Sequence, residues 1–391
     1  MNSPTDISKK KLSELAALFL KLGTIAFGGP APHIAMMEEE VVRRKKWLSH
    51  DDFLDLLGAT NLIPGPNSTE MAIHIGHRRA GFVGLIVAGL CFIFPAVMIV
   101  WSIAWAYVRF GTLPEIQNIL YGIKPVIIAI VVCALWRLGQ TAIKTKTLAL
   151  FCLMAILGSA LGINEIFVIF GTGVLALIWH WLKTWKNSGK LHSFLWFFIS
   201  SLWGTPTLLP NLGVESKLPA VFLIFLKIGS VLFGSGYVLL AFLQADFVDH
   251  RHWLSQSQLL DAVAVGQFTP GPVFTAATFV GYVIAGNQGA LWATLGIFIP
   301  AFVFVALSGP LVPRLRRSPL AGAFLNGVNV ASLALMAVVS WQLASASLVD
   351  WTTVTIGAGS LVLLLSFRLN SVWLVLGGGL LGYVKHYSGF F

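Results

Sequence analysis

The sequence predicts an all-α polytopic integral membrane protein made of two tandem repeats of opposite orientation, with re-entrant or broken helices. Three observations predict it. Of the 391 residues, 57% are hydrophobic and 11% charged, with a mean hydropathy of +0.82; a soluble domain carries about 25% charged residues. The chain repeats itself: FLKLGTIAFGG from Phe19 lies over FLKIGSVLFGS from Phe225. Basic clusters change ends between the two copies.

Composition comes first. Long apolar runs recur along the whole chain, each long enough to cross a bilayer. The net charge of +10 and pI of 9.7 come from short basic clusters between those runs, the usual pattern of cytoplasmic loops. A soluble enzyme, a nucleic-acid binder and a disordered scaffold are excluded on this pattern. Cys91, Cys133 and Cys152 all lie in apolar runs without metal or redox spacing, so they read as small buried residues. The polar start, residues 1–11, reads as an uncleaved cytoplasmic tail.

The duplication fixes the organisation. Without a gap, Trp47-Leu48-Ser49 falls on Trp253-Leu254-Ser255, Asp55 on Asp261, Glu40 on Asp246, and Pro64-Gly65-Pro66 on Pro270-Gly271-Pro272. After a slip of one residue, Gly76 falls on Gly281, Gly81 on Gly286, Gly84 on Gly289 and Pro95 on Pro300. The repeats are expected at 12–190 and 219–391, joined by a linker over 191–218.

Within each repeat the elements follow one order. The first apolar segment ends in Gly-rich sequence, Phe27-Gly28-Gly29-Pro30 or Phe233-Gly234-Ser235-Gly236. A more amphipathic stretch carries Trp47 or Trp253, and a helix broken by Pro-Gly-Pro follows. Four long apolar segments complete the repeat, about 80–108, 115–138, 147–163 and 164–182 in the first copy and about 281–308, 320–344, 349–366 and 370–388 in the second. These have the length of membrane helices. The pieces before them, Leu12 to Gly29, Pro32 to Lys46, Ser49 to Ile63 and Asn67 to His77, are too short or too polar to span. Two re-entrant hairpins account for them. Such hairpins place Lys9–Lys11, Arg43–Lys46 and Arg78–Arg79 on one face.

The second copy loses the cluster at Arg43–Lys46 and gains Arg314, Arg316 and Arg317 where the first has only Arg109. That swap predicts an inverted-topology repeat. Inversion needs one more crossing, which Phe194 to Pro210 is expected to supply.

Inverted repeats with broken helices are the architecture of secondary transporters, with substrate held near the midplane where half-helices meet. The Pro-Gly-Pro breaks put helix N-termini there: Asn67-Ser68-Thr69-Glu70 follows one and Val273-Phe274-Thr275 the other. An N-terminus offers free N–H groups and positive partial charge and so suits an anion. Against this stands the plainer reading, in which the tripeptide only shapes a hairpin tip.

Ionisable residues in apolar helices are costly and usually functional. Lys21 and Lys227 match across the repeat, as do Asp55 and Asp261. The lysines read as cations biasing an anion site, the aspartates as charge holders or proton relays in coupling. The structural alternative has Lys21 snorkelling to the interface with Asp55 as its partner. Glu70 has Ala276 as its counterpart; it reads as a capping box with Asn67 or as a further coupling group. Glu38–Glu40 and Arg43–Lys46 read as i,i+4 pairs on a solvated helix face. Trp47 and Trp253 fit interfacial anchors. His33, His74 and His77 lack metal spacing. With no nucleophile motif, P-loop or dinucleotide fingerprint, neither a metal nor another cofactor is expected.

At these residues the sequence resembles the chromate ion transporter (CHR) family in its long form of two fused halves. The resemblance rests on Phe27–Ser49, Asn61–Gly81 and Gly266–Tyr282 and covers nearly the whole chain. It implies secondary active export of chromate or a sulfate-like oxyanion through the plasma membrane, with the lipid bilayer as surroundings; a homodimer is left open. The family motif positions are Gly28, Gly29, Pro30, His33, Arg44, Trp47, Pro64, Gly65 and Pro66; Glu38 stands where the family commonly has a basic residue. The expected substrate-binding set is Lys21, Gly28, Gly29, Pro30, His33, Pro64 to Thr69, Lys227, Gly234, Ser235, Pro270 to Pro272 and Thr275. A membrane-embedded enzyme or lipid-handling protein with re-entrant hairpins is the alternative.

Overall fold

The computed structural model describes residues 4–27, 29–185, 217–233, 236–316, 318–367 and 369–388. Gly28, Gly234, Ser235 and the expected crossing at Phe194–Pro210 lie outside the described residues. All regular structure among the described residues is helical. Five helical stretches are long and apolar enough to cross a membrane: Asn67–Phe110, Pro114–Ala142, Glu165–Thr184, Val273–Ser308 and Pro319–Ser347. Leu90, Phe94, Met98 and Trp105 face outward from the first of these, as lipid contact requires.

The first repeat opens with α1 (Pro4–Ile25), so residues 4–11, expected as a tail, are helical. The chain reverses after Ala26 into α2 (Pro30–Glu38), which runs on as a π-helical turn, Glu39–Arg44. Lys21 Nζ donates to Glu40 Oε1 at 2.8 Å across this first hairpin. The second hairpin is α3 (His50–Thr60), the Pro-Gly-Pro tip, and the start of α4 (Asn67–Phe110). Ser49 caps α3 by accepting from the Asp52 N–H at 3.0 Å.

α4 is not one rod of 44 residues. Ala80 and Gly81 leave helical geometry, Gly81 at φ +63°, a conformation open to glycine because it lacks a Cβ. The chain turns back there, and the backbones touch: a Cβ on Gly84 would collide with the Gly76 carbonyl. A short arm up to Arg79 thus packs against a long arm that runs to Phe110. α5 (Pro114–Ala142), α6 (Lys146–Ala160) and α7 (Glu165–Trp185) follow.

The second repeat reproduces this plan in detail. α8 (Lys217–Val231) precedes a break, a 3₁₀ turn at Gly236–Val238, the short α9 (Leu239–Leu243) and a π-helical turn, Gln244–His250. Lys227 Nζ donates to Asp246 Oδ2 at 2.6 Å, the counterpart of the Lys21–Glu40 pair. Then come α10 (Gln256–Phe268), capped by Ser255, a 3₁₀ turn at Val273–Thr275, and α11 (Ala276–Arg316), which turns back at Ala285 and Gly286 with Gly286 at φ +60°. Thr278 and Thr294 hydroxyls meet at 2.7 Å across that turn. α12 (Pro319–Ser347), α13 (Trp351–Ser366) and α14 (Ser371–Ser388) complete the repeat.

The two repeats are oppositely oriented and interlocked. Going along α4 from Gly89 to Trp101, the partner on α11 goes back from Phe302 to Asn287: a Cβ on Gly89 would stand 2.5 Å from Phe302, and the Trp101 indole donates to Asn287 at 2.9 Å. α4 and α11 are therefore antiparallel, and their turns, at Gly81 and Gly286, lie at opposite ends of the molecule. α5 packs on α13 and α14, and α12 packs on α6 and α7. Each repeat thus clasps helices of the other.

The basic clusters of the first repeat share one face, as expected. Arg79 binds Glu14 at 2.9 Å and lies 4.5 Å over the Trp47 ring, and Arg78 binds Asp52 at 3.2 Å. The Ser49 hydroxyl and Arg78 hold the Asp52 carboxyl below the ordinary carboxylate range. Glu38 sits against His50 at 3.2 Å. The i,i+4 pairs appear as Arg43–Glu39 at 3.6 Å and Arg44–Glu40 at 3.5 Å. Trp253 holds the corresponding place in the second repeat, under Lys217 at 5.7 Å and Arg251 at 5.6 Å.

Candidate functional site

The two Pro-Gly-Pro tips meet the opposite repeat by one repeated hydrogen bond. The Gly65 N–H donates to the Leu232 carbonyl at 2.8 Å, and the Gly271 N–H donates to the Ala26 carbonyl at 2.9 Å. Leu232 and Ala26 hold equivalent places, just past the ends of α8 and α1. Gly65 (φ +138°) and Gly271 (φ +87°) adopt backbone angles that side chains resist. There is no space either. A Cβ on Gly271 would stand 2.7 Å from the Ala96 Cβ, and one on Gly65 would collide with Glu70.

The Ala26 carbonyl carries a second bond, from the His33 ring. His33 Nε2 donates to it at 3.0 Å, while Nδ1 is buried with no protein partner. Phe92 stacks edge-on against the ring at 5.7 Å. His33 therefore ties the first hairpin to the point where the second repeat's tip arrives. Gly29, at φ +84° just before α2, completes that turn with Pro30 at the first helical position.

α4 begins at Asn67 with Pro66 as N-cap, and no side chain caps it. The expected Asn67–Glu70 capping box does not form. The Asn67 amide donates instead to Asn61 Oδ1 at 2.9 Å, because Glu70 turns inward beside Gly65, fully buried, with both carboxyl oxygens lacking a protein partner. The Thr69 and Glu70 N–H groups donate to the Pro66 carbonyl at 2.8 and 3.1 Å, which leaves those of Asn67 and Ser68 as the open donors of the helix start. Ser68 and Thr69 are buried, and the Thr69 hydroxyl also lacks a partner. In the second repeat the tip leads into a 3₁₀ turn, where the Thr275 hydroxyl donates to the Pro272 carbonyl at 2.8 Å.

The partner that the snorkelling alternative gave Lys21 is corrected. Lys21 pairs with Glu40, not Asp55, and Lys227 with Asp246. The acid comes from the returning limb of the same hairpin, which lies alongside the lysine's helix. Asp55 and Asp261, matched in sequence, have unlike surroundings. Asp55 is exposed, whereas Asp261 is 2% exposed, accepts from the Tyr107 hydroxyl at 2.8 Å and lies 3.6 Å from Lys124.

A polar cavity of about 350 Å³ lies beside the first tip. Asn61, Ile63 and Asn67 line it from the tip, Thr141 and Lys144 from the end of α5, and Asn326, Asn329 and Ser332 from α12. Sequence reasoning missed the α12 residues. Their signal was present as Asn326, Asn329 and Ser332 at three-residue spacing, one stripe on an otherwise apolar helix.

Comparison with known proteins decides the class. The family described as "Chromate transporter" matches twice, at residues 13–177 and 219–383. The chain belongs to the chromate transporter family. It is 31% identical to the chromate transport protein of Cupriavidus metallidurans over 383 residues, 96% of this chain and 93% of that one. It is 31% identical to the probable chromate transport protein of Synechococcus elongatus over 90% of this chain and 89% of the other. It is 30% identical to the chromate transport protein of Pseudomonas aeruginosa over 95% of this chain and 92% of that one. No solved structure matches significantly. Membership in the chromate transporter family makes the protein a multi-pass membrane transporter and not an enzyme, which sets aside the alternative of a membrane-embedded catalyst.

Proposed function

We propose that this protein exports chromate or a related tetrahedral oxyanion such as sulfate across the cell membrane, driven by the membrane gradient. The observation that carries this reading is the reciprocal bond of Gly65 to Leu232 and Gly271 to Ala26 between oppositely oriented repeats. It joins two broken-helix tips to the repeat boundary, the place where inverted-repeat transporters bind their substrates. The N–H groups beginning α4 supply donors and positive partial charge for an anion. Gly29 and Pro30 follow Ala26, where the Gly271 tip arrives, and in the sequence Gly28, Gly234 and Ser235 belong to the same Gly-rich stretches. Lys21 and Lys227 are balanced by Glu40 and Asp246, so in this reading they position the helix ends while the helix start supplies the field.

The direction follows from charge. Arg78, Arg79 and their neighbours mark the cytoplasmic face. An inside-negative potential of 100 mV favours exit of a dianion by about 4.6 kcal/mol, at roughly 2.3 per charge. The test is flux of labelled chromate and sulfate in proteoliposomes under imposed potentials and pH gradients. Outward movement that rises with an inside-negative potential, and that excess chloride does not block, is the expected result. Flux indifferent to every imposed gradient would defeat the reading.

A further inference from the structure

We infer that the cavity beside the first Pro-Gly-Pro tip is the loading site for the oxyanion, with Ser332 in its wall, Asn67, Asn326 and Asn329 around it and Lys144 at its mouth. This rests on the proposed function and adds the place where the substrate first binds.

Four observations support it. The Ser332 hydroxyl is 2% exposed and has no protein partner, though it lines a cavity. A buried hydroxyl left without a hydrogen bond costs about 1–3 kcal/mol, and an oxyanion there would accept its proton in a hydrogen bond. Second, the lining suits an anion. Among the described lining residues, Lys144 is the single charged group and the rest of the polar surface is amide and hydroxyl. Third, Asn67 is the first residue of α4 and lines the same space, so the positive end of a helix without a side-chain cap borders it. Fourth, the volume suffices. About 350 Å³ is some ten times the ~30 Å³ share of one water, room for a tetrahedral ion with part of its hydration.

The cavity also lies toward the cytoplasmic side. The long arm of α4 leaves the Arg79 face and α5 returns to it, ending at Ala142 beside Lys144. A second depression, lined by Thr145, His180, Lys183 and again Asn326, adjoins it near that face. The inverted repeat predicts a twin cavity at the other face, and the residues there are already engaged. Lys124, the counterpart of Asn329, donates to the Ser257 hydroxyl at 2.6 Å and lies 3.6 Å from Asp261. Gln267, the counterpart of Asn61, accepts from the Tyr237 hydroxyl at 3.2 Å. One side of an alternating-access cycle is thus tied together while the other offers a polar cavity.

The test uses the full chain in proteoliposomes with labelled sulfate. Ser332→Ala and Asn329→Leu are expected to raise the half-saturating concentration about tenfold, the worth of one hydrogen bond to a charged group. Lys144→Gln, an exposed change that leaves folding intact, is expected to raise it about threefold, and Lys146→Gln, outside the lining, to leave it unchanged. A separate readout needs no transport. In a chain with Cys91, Cys133 and Cys152 replaced by Ala, Asn329→Cys should react with an anionic thiol reagent from the Lys144 side, and sulfate should protect it. Wild-type half-saturation in all three lining variants, with no sulfate protection, overturns the site. A wild-type protein that moves neither oxyanion while sulfate still protects Asn329→Cys overturns the proposed function and keeps the site.

Discussion

Gly65 donates its N–H to Leu232 of the opposite repeat, and the same bond recurs in mirror position from Gly271 to Ala26. Two glycines with positive φ thereby fasten two inverted halves. Ala at either position should weaken the protein, since a left-handed backbone costs a side chain about 1–2 kcal/mol before any clash. The clashes differ. At Gly65 the obstacle is the movable end of Glu70; at Gly271 it is the Ala96 Cβ and the Gly23 carbonyl. Gly271→Ala should therefore lower the unfolding temperature more than Gly65→Ala. Adding Ala96→Gly should recover part of the loss. Thermal unfolding of the detergent-solubilised variants decides it.

The lysine–acid pairs give a second prediction. The Lys227 and Asp246 side chains are 30% and 7% exposed, those of Lys21 and Glu40 51% and 12%. Without Lys227 the buried Asp246 keeps only the longer contact to Arg251 at 3.5 Å, a loss that costs more than at the more open Glu40, which keeps Arg44 at 3.5 Å. Lys227→Met should destabilise strongly and Lys21→Met mildly, and adding Asp246→Asn should restore Lys227→Met. If the lysines only position the helix ends, the restored double variant regains oxyanion flux. Flux lost in a folded double variant would mean that the Lys227 cation itself acts on the substrate.

Much of this arrangement was legible in the sequence, and the illegible part has a physical reason. The duplication, the hairpins and the inversion follow from chain-local signals: repeated Gly and Pro, the shortness of the polar pieces, and the swapped arginines. Partners set by tertiary packing do not. Lys21 meets Glu40 because a limb returns beside it, and Asp261 is held in its buried place because Tyr107 and Lys124 of the first repeat reach it. The Asn67–Glu70 spacing fits a capping box, but the close approach at Gly65 turns Glu70 inward. The cavity was hidden for the same reason, since its lining comes from three separated stretches.

Topology can be tested without transport. Ser49 and Ser255 cap equivalent helices, α3 and α10, in repeats that run oppositely. With the three native cysteines replaced, Ser49→Cys and Ser255→Cys should react with an impermeant thiol reagent from opposite faces of the membrane. Ser49→Cys should react on the face of Arg78 and Arg79. Reaction of both from one face would contradict the antiparallel packing of α4 and α11.

The cluster at Asp261 leads to the last prediction. Its carboxyl is held by Tyr107 from the end of α4 and by Lys124 from α5, and Lys124 also binds Ser257. These bonds join the two repeats at the face opposite the cavity. They must break if that face opens, so weakening them should shift the molecule toward the opposite-facing state. Every 1.4 kcal/mol removed from the closed form changes the ratio of states tenfold. Tyr107→Phe removes one hydrogen bond and should shift the ratio by severalfold. Lys124→Met strands a buried carboxylate, which gains most by reaching water, so its shift should be larger. Val265 lies one helical turn beyond Asp261 on the same face and is 6% exposed. Val265→Cys should react slowly from that side in the wild-type background, faster with Tyr107→Phe and fastest with Lys124→Met. Asn329→Cys in the cavity should slow in the same order, because one cycle cannot expose both. Equal labelling of Val265→Cys in all three backgrounds would show that the Asp261 cluster only braces the fold.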